Sequence, residues 1–501
     1  MSQVGSTGDA LAGTTGSNSA LGATGGTTAL NGATGTAGTG TTGGVVAAPG
    51  AGGTSGAGSG SGALSSGSSE SGVVGPPSSV GGIPTTGRGW DAKHVYIGIP
   101  TSDDANAATA RLGANFDNGS FEKDVNAVAA DINRAGGVFG RQLVPVYYDT
   151  PIAKAEADPA GTAQAICTYF TQDRPTIVVL SDAPQFDSNE GFHRCLEAKK
   201  VTLLSGTNTD YSTADYARLG PHLWSMASLS TDFLVPTWIS SLQRQGYFTG
   251  WNTTTGAPSG TPAKVGVLLP DDPQGHHVAG LIATSLKKIS LSVASSFFYD
   301  PAGSGKDNQS EVLRFTSAGV THVLDLPPVE LEVGLFQSAA EHQHYRPRYG
   351  FTSFDLPVTV EQNSSIVPPV QQIGSIGIGW QPGNDVNAEH DPGPTPGQPR
   401  CLAAQARGGQ TFNSANRRAE LIAFGFCDVL YVIRDAVLAG RGFDGDAFLR
   451  GMPLVTTKMA GTFGSSLSAA NHGVPGYYRD QVYRASCSCF VYVGGNHPFS
   501  R

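Results

Sequence analysis

Ile132-Asn133-Arg134-Ala135-Gly136-Gly137-Val138-Phe139-Gly140-Arg141-Gln142-Leu143-Val144-Pro145-Val146 is the stretch on which the reading of this 501-residue chain turns. Just before it, Phe121, Val125, Val128 and Ile132 recur at spacings of 4, 3 and 4, one face of a helix. Gly136-Gly137 ends that helix, because glycine reaches the backbone conformations that a helix C-cap and a tight turn require. Gly140 permits a second reversal, after which Gln142 to Tyr148 reads as a strand. The stretch is a helix-to-strand corner, one step of an alternating β-α chain.

Outward from that corner the alternation continues. His94 to Ile99 is a β-rich run, Ala163, Ile166 and Phe170 mark a helix, and Thr176 to Leu180 is a strand. Phe192 and Leu196 sit on another helix, and Val201 to Leu204 is the next strand. The pattern then starts again. Strands are predicted at 264–269, 293–299, 320–324, 349–353 and 373–378, with helices at 278–289, 311–318 and 329–342 between them. Residues 381–399 are rich in Pro and Gly and read as a loop, and 415–438 is a long helix closed by Gly440. Such alternation predicts an α/β fold of two doubly wound lobes, each a parallel sheet covered by helices on both faces.

Composition divides the chain. In residues 1–90 only Asp9, Glu70 and Arg88 are charged, and the stretch is mostly Gly, Ser, Thr and Ala. It has too little apolar surface to offset its ordering entropy, so it reads as a disordered low-complexity linker. The net charge of −9, without a block of Lys and Arg, argues against nucleic acid as a partner. The most apolar run, Leu421 to Ile433, carries Asp428 and is too short to span a membrane, so it reads as a core helix. Residues 1–30 lack the apolar segment of a secretory signal.

The corner resembles that of type I periplasmic binding proteins in the Leu/Ile/Val-binding-like group, which read I-N-x-x-G-G-hydrophobic-x-G-(Arg/Lys) before a strand. Other pieces come in the same order. His94 to Ile99 runs into Thr101-Ser102, like the family's first strand and ligand loop. Thr176 to Leu180 followed by Ser181-Asp182, and Leu203-Leu204-Ser205-Gly206-Thr207-Asn208, are similar to strands ending in ligand-contacting polar loops. Val265 to Leu269, then Asp271-Asp272-Pro273-Gln274-Gly275, resembles the start of the second lobe, with Gln274 where the family often has an aromatic.

The resemblance implies two lobes joined by three crossings, with ligand bound in the cleft beyond the carboxyl ends of the strands and held by hinge closure. The implied division is 91–225 as the first part of lobe 1, 226–352 as lobe 2, 353–478 as the second part of lobe 1, and 479–501 returning to lobe 2. The implied function is an extracytoplasmic solute-binding protein, not an enzyme and without cofactor or metal. It would deliver a small polar ligand (amino acid, carboxylate or amide-like) to an ABC transporter permease. The alternative is a ligand sensor or cell-surface interaction domain on the same fold. Candidate ligand-binding residues are Ser102, Ser181, Asp182, Thr207, Asn208, Gln274 and Asp355 as polar or charged partners, with Phe354 and Trp380 as apolar walls. The Gly/Ser/Thr tail resembles the linker behind a lipoprotein anchor, which implies a signal and a lipidated cysteine upstream of Met1.

Six cysteines are inert thiols in a reducing compartment and up to three bridges in an oxidising one. Cys167 and Cys195 lie on helices flanking one predicted strand, and a bridge between them would contribute roughly 3–4 kcal/mol in the chain-entropy model. A similar loop would join Cys401 to Cys427, leaving Cys487 and Cys489 as a tight C-x-C pair, free thiols or half of a metal site without a Cys/His partner nearby in sequence. His342 and His344 point to different sides of a helix, and His276-His277 read as surface. Gly440-Arg441-Gly442-Phe443-Asp444-Gly445 spells G-x-G-x-x-G but comes after a helix instead of a strand, so it reads as a helix end and turn.

Overall fold

The computed structural model of the chain describes residues 82–102, 104, 119–181, 184–187, 189–300, 305–326, 330–364, 367–412 and 417–499. The low-complexity stretch 1–81 and the candidate Asp182 lie outside them. The first sheet has five parallel strands: β1 (His94–Thr101), β2 (Gln142–Asp149), β3 (Val178–Ser181), β4 (Thr202–Ser205) and β5 (Leu223–Ser225), in the order β2-β1-β3-β4-β5. The second has seven: β6 (Val265–Pro270), β7 (Val293–Tyr299), β8 (His322–Asp325), β9 (Arg348–Thr352), β10 (Ile376–Gly379), β11 (Tyr477–Arg484) and β12 (Cys489–Pro498). Their order is β12-β11-β10-β9-β8-β6-β7, with β6 to β10 parallel and the last two antiparallel. β3, β4, β6 and β8 are buried at every residue, as strands covered on both faces must be.

The corner at 132–146 is built by specific contacts. Ser120 caps the helix Phe121–Arg134, whose first turn carries Glu122 and Asp124 against the helix dipole. Gly136 and Gly137 take φ of 103° and 67°, and a Cβ on Gly137 would lie 2.0 Å from the Arg141 carbonyl oxygen. Val138 and Arg141 exchange backbone hydrogen bonds of 2.8 and 3.0 Å around Phe139 and Gly140, both at positive φ. Asn133 then acts as a substitute strand end. Its Nδ2 donates to the Leu143 carbonyl at 2.9 Å, and its Oδ1 accepts from the Leu143 N–H at 2.7 Å. Arg141 donates to the carbonyls of Asp91 (2.7 Å) and Pro84 (3.2 Å) and lies over the Phe443 ring.

Those contacts shorten the expected linker. Ile83 is buried in the first core, so the ordered chain begins before residue 91. A larger difference concerns 353–478, which the sequence reading places wholly with lobe 1. β10 lies in that stretch yet sits in the second sheet, between β9 and β11. Its Ile-Gly-Ile-Gly run is fully buried, and its glycines are required there. A Cβ on Gly377 would meet the Phe351 carbonyl at 2.3 Å, and one on Gly379 would meet Asp385 at 2.3 Å. The helix Thr231–Arg244 is also unforeseen, because Pro236 interrupts its pattern.

The long helix Arg417–Gly440 returns to lobe 1, burying Phe424, Cys427, Leu430, Ile433 and Val437 in the first core. The G-x-G-x-x-G segment is the corner after it, where Asp444 caps the helix Gly445–Gly451 and a Cβ on Gly440 would lie 1.9 Å from the Ala447 carbonyl oxygen. Cys167–Cys195 and Cys401–Cys427 each join two helices of this lobe, and Cys487–Cys489 closes the turn between β11 and β12. Among the described residues no helix is long and apolar enough to cross a membrane.

Candidate functional site

The carboxyl ends of β3 and β4 face those of β9 and β10 across a cleft. It encloses about 140 Å³. One wall is Leu180 near the end of β3 and Gly206 to Asn208 after β4, with Phe121 and one face of the long helix. The opposite wall is Leu356 after β9 and Gln381 to Asn384 after β10, and the crossing segments at Met226-Ala227 and Met459 to Thr462 form the floor.

A pair of amides bridges the walls. Asn208 Nδ2 donates to Gln381 Oε1 at 3.4 Å and to the Ser353 carbonyl at 3.1 Å, and Gln381 Nε2 donates to Asn208 Oδ1 at 3.2 Å. Gln381 Nε2 also donates to the Ala227 carbonyl (2.7 Å), which accepts from the Trp380 indole as well (2.8 Å). The first crossing segment is therefore fastened to the second lobe next to the site.

Each wall rests on a buried carboxylate. Asp187 accepts from Ser205 Oγ (2.8 Å) and Thr207 Oγ1 (2.7 Å), which orients the loop carrying Asn208. Burial pushes the Asp187 carboxyl up to about 6, with those hydrogen bonds pulling against it. Asp385 accepts from Ser353 Oγ (2.9 Å), from the Gln381 N–H (2.9 Å) and from the Tyr492 hydroxyl, which orients Gln381. Burial pushes it up to about 7. A third, Asp428, lies at the floor, pushed up by burial to about 7. Both its oxygens accept from the Ala460 N–H at 2.8 Å, and Oδ2 also accepts from the Gly461 N–H at 2.7 Å.

Of the residues singled out from sequence, Thr207 and Asn208 line the cleft. Ser102 donates to the Thr150 carbonyl at 2.8 Å, and Ser181 is fully buried at the end of β3. Gln274 bridges the lobes elsewhere, donating to Asp215 at 2.5 Å. Trp380 and Phe354 are buried against each other, ring centres 6.0 Å apart, behind the wall and not on it. Asp355 sits beside Asp325 at a separate cavity of about 20 Å³, and burial raises the pKa of both. His276 and His277 pair with Asp271 (2.9 Å) and Asp232 (3.1 Å) away from the cleft lining. Sequence reasoning missed Gln381 and Asn384, at the start of a Pro/Gly-rich stretch that reads as a loop but forms the short helix Pro382–Asp385, and the cleft face of the long helix. The available signals were Gly425 and Asp428, a glycine and a carboxylate inside the most apolar run of the long helix.

Among the described residues, one group has the spacing to hold a metal: His390, Cys487 and Cys489, with ligand atoms within 4.8 Å of one another. The fold supplies the histidine that the sequence lacked nearby. The two sulfurs are bonded to each other, so in this state they offer no thiolate.

Neither a protein-family model nor a curated protein sequence matches the chain. Solved structures do. A solute-binding protein of an ABC transporter from R. palustris, in complex with 4-hydroxybenzoate, is 12% identical with a TM-score of 0.58 over 81% of this chain and 98% of that one. A substrate-binding protein from Desulfitobacterium hafniense in complex with Leu is 14% identical, TM-score 0.54, over 80% and 100%. A fatty acid ABC transporter substrate-binding protein from Thermomonospora curvata is 14% identical, TM-score 0.53, over 83% and 95%. At such identities the likeness establishes the fold.

Proposed function

We propose, from the type I periplasmic binding protein fold that this chain shares with those structures, that it is an extracytoplasmic solute-binding protein. It captures a small molecule between its lobes and hands it to an ABC transporter, with no covalent chemistry. The observation that carries this reading is the cleft itself, set at the carboxyl ends of parallel strands from both sheets, where open α/β folds bind ligands. The Asn208–Gln381 pair supports it, because a ligand between the walls engages both lobes and stabilises closure. Lipid anchoring is part of the same proposal.

The test is a thermal-shift panel of amino acids, small carboxylates, amides, polyols and aromatics on protein stripped of carried ligand by unfolding and refolding. A ligand at a hundred times its Kd adds about 2.7 kcal/mol of stability. A shift that Asn208→Ala reduces supports the reading. Absence of any shift across the panel rejects it.

A further inference from the structure

We infer that the molecule this cleft takes is uncharged and mainly apolar, about the size of one substituted six-membered ring. This rests on the solute-binding reading above and narrows it. The walls are carbon-rich: Phe121, Leu180, Leu421, Ile422 and Phe426 face Leu356 and Pro382. Among the described residues that line the cleft there is no Lys, Arg or His. The lining carboxylate, Asp428, already accepts backbone N–H groups on both oxygens and faces Arg400 at 3.6 Å. An anion entering this space gives up its hydration without a basic side chain among the described lining residues to meet it, and a cation finds Asp428 already engaged.

The polar handles are neutral amides. Asn208 and Gln381 hold each other at 3.2 and 3.4 Å, and a ligand carbonyl, hydroxyl or amide can exchange for those bonds without leaving a buried polar group unpaired. The helix wall leaves room at one backbone position. Gly425 lines the cleft within the long helix, and a Cβ there would meet nothing within 4 Å. Glycine is the poorest helix former after proline, and no close approach demands it at this position. About 140 Å³ is of the order of an apolar cavity that holds one benzene-sized molecule.

The experiment is calorimetric titration of the refolded full chain at neutral pH with four probes of one shape: benzamide and benzyl alcohol against benzoate and benzylammonium. The expected result is binding of the neutral pair, with the charged pair at least tenfold weaker. Gly425→Leu, which fills the cleft, should abolish binding while leaving the melting temperature unchanged or raised. Gly425→Ala, the milder change, should weaken it and guards against misfolding of the larger variant. Benzoate or benzylammonium binding as tightly as benzamide overturns the inference and leaves the solute-binding reading standing. So does failure of all four while an amino acid or carboxylate of the wider panel binds. Failure of every compound overturns both. Binding that survives Gly425→Leu in a folded protein also overturns the inference, because the cleft is then not the site.

Discussion

On the first-lobe side of the cleft, Asp187 gathers Ser205 and Thr207; on the second, Asp385 gathers Ser353, Gln381 and Tyr492. The two walls use one device, a buried carboxylate that sets a polar loop. What stands behind each wall differs. The first lobe is stitched by Cys167–Cys195 and Cys401–Cys427, with sequence separations of 28 and 26. The second has no long-range bridge among the described residues, and its wall is tied to the C-terminal hairpin by hydrogen bonds that Tyr492 and Gln481 donate to Asp385. One lobe is held by covalent closure and the other by buried hydrogen bonds, so the two should respond to different insults.

Reduction makes the largest expected difference. Each long-range bridge stabilises the first lobe by about 3.5 kcal/mol in the chain-entropy model. Calorimetry with and without a thiol reductant should show the first lobe melting well before the second. Cys487→Ser with Cys489→Ser should move the profile far less, because that loop is short. A single transition that reductant leaves unchanged would break the comparison.

The next effect in size is that of pH. Burial raises both carboxyls above the about 3.9 of an unfolded aspartate. Each therefore keeps its proton in the fold over a range where the unfolded chain has lost it. Their contribution is complete below about pH 4. It is lost as pH rises through about 6 for Asp187 and about 7 for Asp385. Urea unfolding at pH 5 and 7.5 should give lower stability at the higher pH. Asp385→Asn should flatten that slope more than Asp187→Asn, and equal slopes in both variants would remove the asymmetry.

At pH 8, where Asp385 carries its charge, Tyr492→Phe should cost the second lobe on the order of 2 kcal/mol in equilibrium unfolding, the range for a hydrogen bond to a charged group. Smallest is Gln381→Leu, which removes one amide of the interlobe pair. Ligand affinity should fall by about fivefold, near 1 kcal/mol, with little change in the melting temperature. A loss of stability as large as that of Tyr492→Phe would mean that Gln381 holds the second wall and not the closure.

Much of this architecture is legible in the chain because its signals are local. The Gly136-Gly137 corner, the amphipathic face of Phe121 to Ile132 and the buried runs of β3, β4 and β6 each announce themselves within a few residues. The site is less legible because it is made at long range. Asn208 and Gln381 meet across 173 residues, and nothing around Gln381 has a periodicity to read. Trp380 reads as an apolar wall, yet its indole N–H needs an acceptor, and Ala227 supplies one behind the cleft. β10 alternates Ile with Gly, a poor strand signal that makes sense only once Phe351 and Asp385 crowd it.

Arg141 fixes where a pull on the molecule would go. It grips the carbonyls of Pro84 and Asp91 and leans on Phe443, all at the amino end of β1, the end of the first sheet opposite the cleft. These contacts tie residues 84–91 to the first lobe before the chain enters β1. The crossing segments at Met226-Ala227 and Met459 to Thr462, which line the cleft, lie at the other end of the strands. A pull on the N-terminal side of the described chain is therefore taken up at the end of the first sheet far from the cleft.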